Sequence, residues 1–271
     1  MFVRSIDSTP FHTFDHVIAT GGGGSATHPI KLYRGTATDL PDDVDAVVIA
    51  SDLQGVAPLA EAGNALALVG EVLAEQLGSL ADRGEIPALA RVGIVLAGDL
   101  YSAPRGDVRG ATGDVREVWR AFARRHPWVV GVAGNHDTFG TREEALRFKA
   151  ERRIHVLDGD CVTYGGVVMA GVSHIIGNPS KPQRVDEREF LRALRKVLAR
   201  RPGALVLHHG PDANEGALRG HAEIRRVVEK QPDVLVICGH VYWPEPLAVL
   251  RGGTQVLNVD GRVVVLTRVL V

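Results

Sequence analysis

Five apolar runs along the chain stop in the same way. Residues 47–50 lead into Ser51-Asp52-Leu53-Gln54-Gly55, and residues 92–97 into Gly98-Asp99-Leu100-Tyr101. Residues 128–133 lead into Gly134-Asn135-His136-Asp137, residues 204–207 into His208-His209-Gly210-Pro211, and residues 234–238 into Gly239-His240-Val241-Tyr242-Trp243. Each run is short, continuous and rich in valine, isoleucine and leucine, which is the pattern of a buried strand. Each ends in Asp, Asn or His beside a glycine. Strand ends on one edge of an α/β sheet converge and carry chemistry, so these side chains can meet. Their oxygen and imidazole donors suit borderline-hard divalent metals.

Helical patterns separate the strands. Leu66, Val69, Leu73, Leu77 and Leu80 recur at helix spacing and predict a helix over 58–83. A short amphipathic helix over 114–125 carries Val118 or Trp119 inward. Thr141-Arg142-Glu143-Glu144 is a capping box opening a helix to about Glu151. Phe190, Leu191, Leu194 and Leu198 share one face of a helix over 186–200, and another helix spans 222–230. Strands are expected near 154–157, 161–164 and 167–171, with Gly165-Gly166 as a hairpin turn. The runs 255–259 and 262–266 around Asp260-Gly261 read as a closing hairpin. Strands alternating with helices place the chain in the α/β class. With no internal repeat or low-complexity linker, one domain over 1–271 is expected, with 1–44 as an N-terminal extension adding strands.

Within that extension, Gly21, Gly23 and Ala26 match the spacing of a dinucleotide fingerprint. The fingerprint needs a helix next, whereas Thr27-His28-Pro29 followed by residues 30–33 reads as a strand. The glycines are therefore a flexible turn between two added strands, with a lid over the metal site as the alternative. Residues 101–113 have no periodicity and read as a loop leaving the sheet beside Asp99. Its Arg105 and Arg109 are either phosphate-binding forks or solvated surface residues. His174 is read as a loop histidine rather than a site residue.

Composition narrows the class without naming a substrate. Hydrophobic content of 45% and charged content of 23% are those of a globular protein with one sizeable core. A net charge of −1 gives no global field to recruit nucleic acid or anionic membrane, though a local basic groove remains open. The two cysteines, Cys161 and Cys238, both adjoin apolar strand residues and read as buried small hydrophobes in a reducing compartment. No signal-peptide h-region and no run of about 18 apolar residues is visible. A cytoplasmic location and no membrane partner follow as expectations.

The ordered set of strand ends resembles the calcineurin-like metallophosphoesterase superfamily: Asp-x-His, Gly-Asp, Gly-Asn-His-Asp/Glu, His and Gly-His-x-His, here over roughly residues 45 to 245. Two positions depart from that pattern, Gln54 and Tyr242, where histidines are usual. The resemblance implies two facing mixed β-sheets flanked by helices, with metals at the strand ends. It implies Asp99 as a carboxylate bridging two ions about 3.5 to 4 Å apart. Asn135, His208 and His240 would complete one ion's set. Asp52, Gln54 and, as an option, Tyr242 would join Asp99 around the other, a weaker site favouring Mn²⁺, with Mg²⁺, Fe or Zn²⁺ as alternatives. One or two ions are therefore expected. His208 is taken before His209 because it directly follows the apolar run. His136 is implied as the general acid, with Asp137 holding its ring.

The function implied is hydrolysis of a phosphomonoester or phosphodiester by metal-activated water. The rival is a catalytically weak metal-binding scaffold or interaction module of the same fold. A nucleotide or nucleic-acid substrate is open. Loops 101–113, 174–188 and 210–220 would set specificity, and none carries a base-reading signature.

Overall fold

The computed structural model describes residues 1–213 and 216–269. Two mixed sheets carry the fold, one of ten strands and one of six. In the first, strands Ala46–Ser51, Val92–Leu96 and Val129–Gly131 lie side by side and parallel. In the second, Ala204–His209 and Leu235–Gly239 are parallel neighbours.

Alternation along the strands builds the layers. Val47 and Ile49 point to a core shared with Met169, Val206, Ile237 and Leu257 of the second sheet. Ala46, Val48 and Ala50 point the other way, onto helices Val69–Asp82, Arg116–Ala123 and Arg142–Lys149. The outer face of the second sheet packs Leu205, Leu207 and Val236 against helices Glu187–Leu198 and Ala222–Val228. Both sheets are thus covered on two faces, which is why their central strands are continuously apolar. The expected α/β class and facing sheets are present.

Residues 1–44 add strands Phe2–Ile6, His12–Ala19 and Ser25–Thr38 to the first sheet. The last two pair antiparallel around the glycine run, where Gly23 and Gly24 take φ of 90° and 77°. No helix follows those glycines, so the dinucleotide reading is excluded structurally. Gly165 and Gly166 turn the antiparallel pair Asp160–Tyr164 and Val167–Val172, as expected.

Three expectations fail. The helix predicted over 58–83 begins only at Val69, where the Glu71 carboxylate accepts from the Leu68 amide. The preceding residues form an antiparallel pair, Val56–Leu59 with Ala65–Leu68. Leu66, counted toward the helix, is 52% exposed on that pair, so its match to helix spacing was coincidental. The closing hairpin does not exist. Gln255–Asn258 lies in the second sheet beside Leu235–Gly239, whereas Arg262–Arg268 lies in the first beside Ala46–Ser51. Asp260-Gly261 is therefore where the chain crosses between sheets. The third miss is Cys161, which is exposed, whereas Cys238 is buried.

Candidate metal centre

The motif residues sit just past the strand ends in strained backbone. Asp52, Asp99 and His240 take φ of 54°, 54° and 68°, left-handed values uncommon for residues with a side chain. Two glycines make the crowding tolerable. A Cβ on Gly134 would lie 2.0 Å from Asp99 Oδ1, and one on Gly239 would lie 2.2 Å from Asp52 Oδ2. The glycine beside each polar residue thus lets two strand ends touch.

Asp99 is the centre of the cluster. Its Oδ1 accepts from the His136 amide at 2.8 Å, and its Oδ2 accepts from Gln54 Nε2 at 3.2 Å. The same Oδ2 lies 3.3 Å from His208 Nε2 and 3.9 Å from His136 Nε2. Donor atoms of Asp99, His208 and His240 all fall within 4.8 Å of one another. His208 Nδ1 sits 2.8 Å from the Ala97 carbonyl, which can only accept, so Nδ1 carries the hydrogen and Nε2 faces the cluster. Two buried atoms of the motif residues, Asn135 Oδ1 and His208 Nε2, have no hydrogen-bond partner, although His208 Nε2 makes a charge contact with Asp99 at 3.3 Å. Leaving such atoms unsatisfied costs about 1 to 3 kcal/mol each. An amide oxygen and an imidazole nitrogen beside a carboxylate fit a divalent cation.

Charge in the cluster is sharply partitioned. Burial opposes ionisation of Asp99, but the charges of His208 and His136 outweigh it and hold the carboxyl down at about 2. Burial likewise opposes a charged His208, yet Asp99 and Asp52 raise it to about 10. Burial and the neighbouring His208 push His240 down to about 4. Asp52 is raised well above the usual carboxylate range, by burial first and by the charges of Asp260 and Asp99.

The sequence-predicted residues separate into groups. Asp99, His208 and His240 form the cluster, and Asn135 is buried one residue before His136, whose amide bonds Asp99. Asp52 and Gln54 line the same cavity as Asp99, His136 and His240, but Asp52 stands outside the 4.8 Å group. Its Oδ2 is taken by Ser51 Oγ at 2.6 Å and the His240 amide at 2.9 Å. His136 lines the cavity, with Nδ1 3.4 Å from Thr112 Oγ1. Asp137 does not hold the His136 ring. Its carboxylate accepts from the amides of Asp99, Leu100 and Gly134, and burial with the Asp99 charge pushes it up to about 6. Asp137 opens the short strand Asp137–Thr138 directly after a bend at 135–136, and its three amide contacts hold its carboxylate away from its neighbour's ring.

Tyr242 is on the surface, 60% exposed, with the Arg262 guanidinium 4.6 Å above its ring. It is not a site residue. His209 accepts the Ile176 amide at 3.1 Å and is pushed down to about 3 by burial and by His240, His221 and His208. His174 lies in the loop after Val167–Val172, its Nδ1 3.4 Å from the Gly134 carbonyl. Of the loop arginines, Arg109 lines the cavity, while Arg105 pairs with Asp107 at 2.9 Å and is largely exposed. Within loop 210–220, residues 214 and 215 lie outside the described residues.

The cavity measures about 780 Å³, and the N-terminal hairpin forms one wall of it through His16, Ile18, Thr20, His28 and Pro29. His16 donates from Nδ1 to the His28 carbonyl at 2.6 Å and packs against Gly55, just after Gln54. Sequence reading missed these residues because they lie outside every motif. It also missed Asp260, which lines the cavity from the crossover between the sheets. The continuously apolar run 263–266 was the available signal, because a strand apolar on both faces is an interior strand rather than half of a surface hairpin.

The sequence model of the calcineurin-like phosphoesterase family matches residues 46–244. No curated protein matches the chain. Among solved structures, TT1561 of Thermus thermophilus aligns with a TM-score of 0.54 at 16% identity, covering 80% of this chain and 90% of that one. That likeness supports the fold. AQ665 of Aquifex aeolicus, a protein of unknown function, aligns at 15% identity over 81% of this chain and 95% of that one, with a TM-score of 0.34.

Proposed function

Because the chain belongs to the calcineurin-like phosphoesterase family, we propose that it hydrolyses a phosphate ester with a divalent metal held by Asp99, Asn135, His208 and His240. Members of the family are generally hydrolytic and bind divalent metals. The observation that carries the reading is the convergence of Asp99, His208 and His240 donors within 4.8 Å, with His208 Nε2 buried and without a hydrogen-bond partner 3.3 Å from the Asp99 carboxylate; Asn135 Oδ1, next to His136 in the chain, is a second buried atom without a partner. Mixed oxygen and nitrogen donors suit Mn²⁺, with Fe and Zn²⁺ as competitors. When bound, the ion polarises a phosphoryl oxygen and makes water a better nucleophile. Asp52 and Gln54 adjoin a second ion seat that shares Asp99.

The chain's own residues supply the rest. His136 faces the cavity and donates a proton to the leaving oxygen, with Thr112 beside its Nδ1. Asp137 sets the Asp99 turn by gathering three backbone amides. Arg109 offers a planar donor fork to the phosphate. The wall of Ile18, Pro29 and Val108 receives the substituent of the ester. Two unpaired thiols fit a reducing, cytoplasmic setting, and no helix of the described residues is long and apolar enough to cross a membrane.

The test is hydrolysis of bis(p-nitrophenyl) phosphate and p-nitrophenyl phosphate side by side, with metal-stripped protein titrated with Mn²⁺. Turnover is expected to rise with Mn²⁺ and to fall about 10² to 10⁴-fold in His136→Ala. The diester to monoester ratio names the reaction class. No turnover across the titration, with metal bound, contradicts the proposal and favours a metal-binding scaffold.

A further inference from the structure

We propose that the N-terminal hairpin and loop 101–113 form the subsite for the leaving group, and that this subsite takes a small apolar substituent, an aryl or branched alkyl group. This rests on the reading of the cavity as a phosphoesterase site with His136 as proton donor. The hairpin, strands His12–Ala19 and Ser25–Thr38, lies outside residues 46–244 that the family model matches, so its wall is an addition of this chain. Three close approaches hold it against the segments that carry the motifs. His16 is buried and packs on the turn after Gln54, where a Cβ on Gly55 would lie 2.3 Å from its Cδ2. Loop 101–113 meets the hairpin at two further points. A Cβ on Gly106 would lie 2.7 Å from the Val17 carbonyl oxygen, and one on Gly21 would lie 3.3 Å from a guanidinium nitrogen of Arg109. Gly106 takes a φ of 61° there, a left-handed value that suits glycine.

The strand register shows which side chains share the face that His16 lays on the site. Residues directly opposite in an antiparallel pair share a face, and so do residues two apart along a strand. His16 stands opposite His28, and Ile18 stands opposite Ala26. Ile18 is therefore the next side chain on that face toward the glycine tip, and it lines the cavity. From the loop, Val108 lines the same cavity and is 55% exposed. A lone exposed hydrophobic needs no explanation, but this one shares its cavity with Ile18, Ala19 and Pro29. His136 decides which part of the substrate meets this lining. A Cβ on Gly110 would lie 3.5 Å from His136 Cε1, so residues 108–110 run from the His136 ring toward the hairpin. The group on the oxygen that His136 protonates leaves the phosphate on that side. The carboxylates lining the cavity, Asp52, Asp99 and Asp260, stand at the strand ends and the sheet crossover, so a cationic substituent finds no counter-charge farther out. Thr20 Oγ1 is spent within the turn, donating to the Gly23 carbonyl at 2.6 Å. Burial of apolar surface on Ile18 and Val108 is then the interaction that selects the substituent. A cavity of about 780 Å³ suits a small molecule.

The measurement is binding of phenylphosphonate and methylphosphonate to full-length, Mn²⁺-loaded protein by calorimetry, for wild type, Ile18→Ser and Val108→Ser, each checked for native circular dichroism. The two probes share one phosphoryl head and differ in the apolar group. Wild type should bind phenylphosphonate about tenfold tighter or more. Each substitution should cut that ratio about threefold or more, with methylphosphonate affinity held within about twofold. Val108 is on the surface, so its variant tests the proposal even where Ile18→Ser does not fold. Equal affinities in wild type overturn the proposal, and so does a preference for phenylphosphonate that neither folded variant reduces; in both cases the metal-dependent reading stands, because the head group still binds. No binding of either phosphonate to Mn²⁺-loaded wild type overturns this proposal and counts against the phosphoesterase site itself.

Discussion

The two sides of Asp99 are built from different chemistry and are satisfied to different degrees. On one side, Asn135 and His208 are fully packed yet each keeps a buried polar atom without a partner. On the other, Asp52 is bonded to Ser51 and the His240 amide, and Gln54 donates to Asp99. The proposed divalent cation would satisfy those atoms on the first side. The second has made internal contacts that an arriving ion must compete with. On the proposed reading, one cavity edge would hold a tight seat and a loose one that share Asp99.

The most disruptive way to probe this contrast is on the histidine side. His208→Ala removes a ligand from the tight seat, and losing the ion forfeits several kcal/mol of transition-state stabilisation, so kcat/KM should fall on the order of 10³-fold. Gln54→Ala should lower turnover far less, since its carboxamide is already engaged in donating to Asp99; equal losses, read by steady-state kinetics, would erase the difference between the two sides.

Acid stability separates the site from its frame. His126 is buried, its Nδ1 2.9 Å from the Val92 carbonyl, and burial pushes it from 6.5 down to about 4. The unfolded chain binds that proton first, so its contribution is full above pH 6.5 and is lost as pH falls toward 4. The loss is about 3 kcal/mol. Denaturant titrations between pH 7 and 4 should show that fall, and His126→Gln should flatten it without altering the ion count.

A somewhat smaller effect should come from the ion itself. Mn²⁺ at about 100 times its Kd should stabilise the fold by about 2.7 kcal/mol, seen as a raised Tm that chelator reverses. The rise should vanish in His240→Ala. The smallest effect is expected at Tyr242. Tyr242→Phe keeps the ring under Arg262 and should change turnover less than about twofold, as surface changes usually do; a larger loss would put the phenol back in the site.

How much of this was legible in the sequence follows from which signals are local. The five strand ends were readable because strands covered on both faces are continuously apolar and stop where polar residues begin. Asp52, Asp99, Asn135, His136, His208 and His240 each sit at or near such a stop. Asp137 was misread because adjacency in sequence does not fix which group a carboxylate bonds: it gathers the amides of Asp99, Leu100 and Gly134. Asp260 was hidden by an Asp-Gly pair between two apolar runs, a strong hairpin signal that the pairing partners overrode. The hairpin wall of His16 and His28 has no sequence signal, because contact with the cavity depends on how the first sheet curls its added strands alongside the site.

The most direct test of the account is the affinity of the tight seat for Mn²⁺ in wild type and Asn135→Leu, measured by calorimetry. Leucine keeps the shape and removes the buried oxygen. The account predicts that the tight ion is weakened at least tenfold while the fold, freed of an unsatisfied polar group, is no less stable in chelator. Unchanged affinity for that ion would contradict it, because the unpartnered Asn135 oxygen would then not be there for a metal.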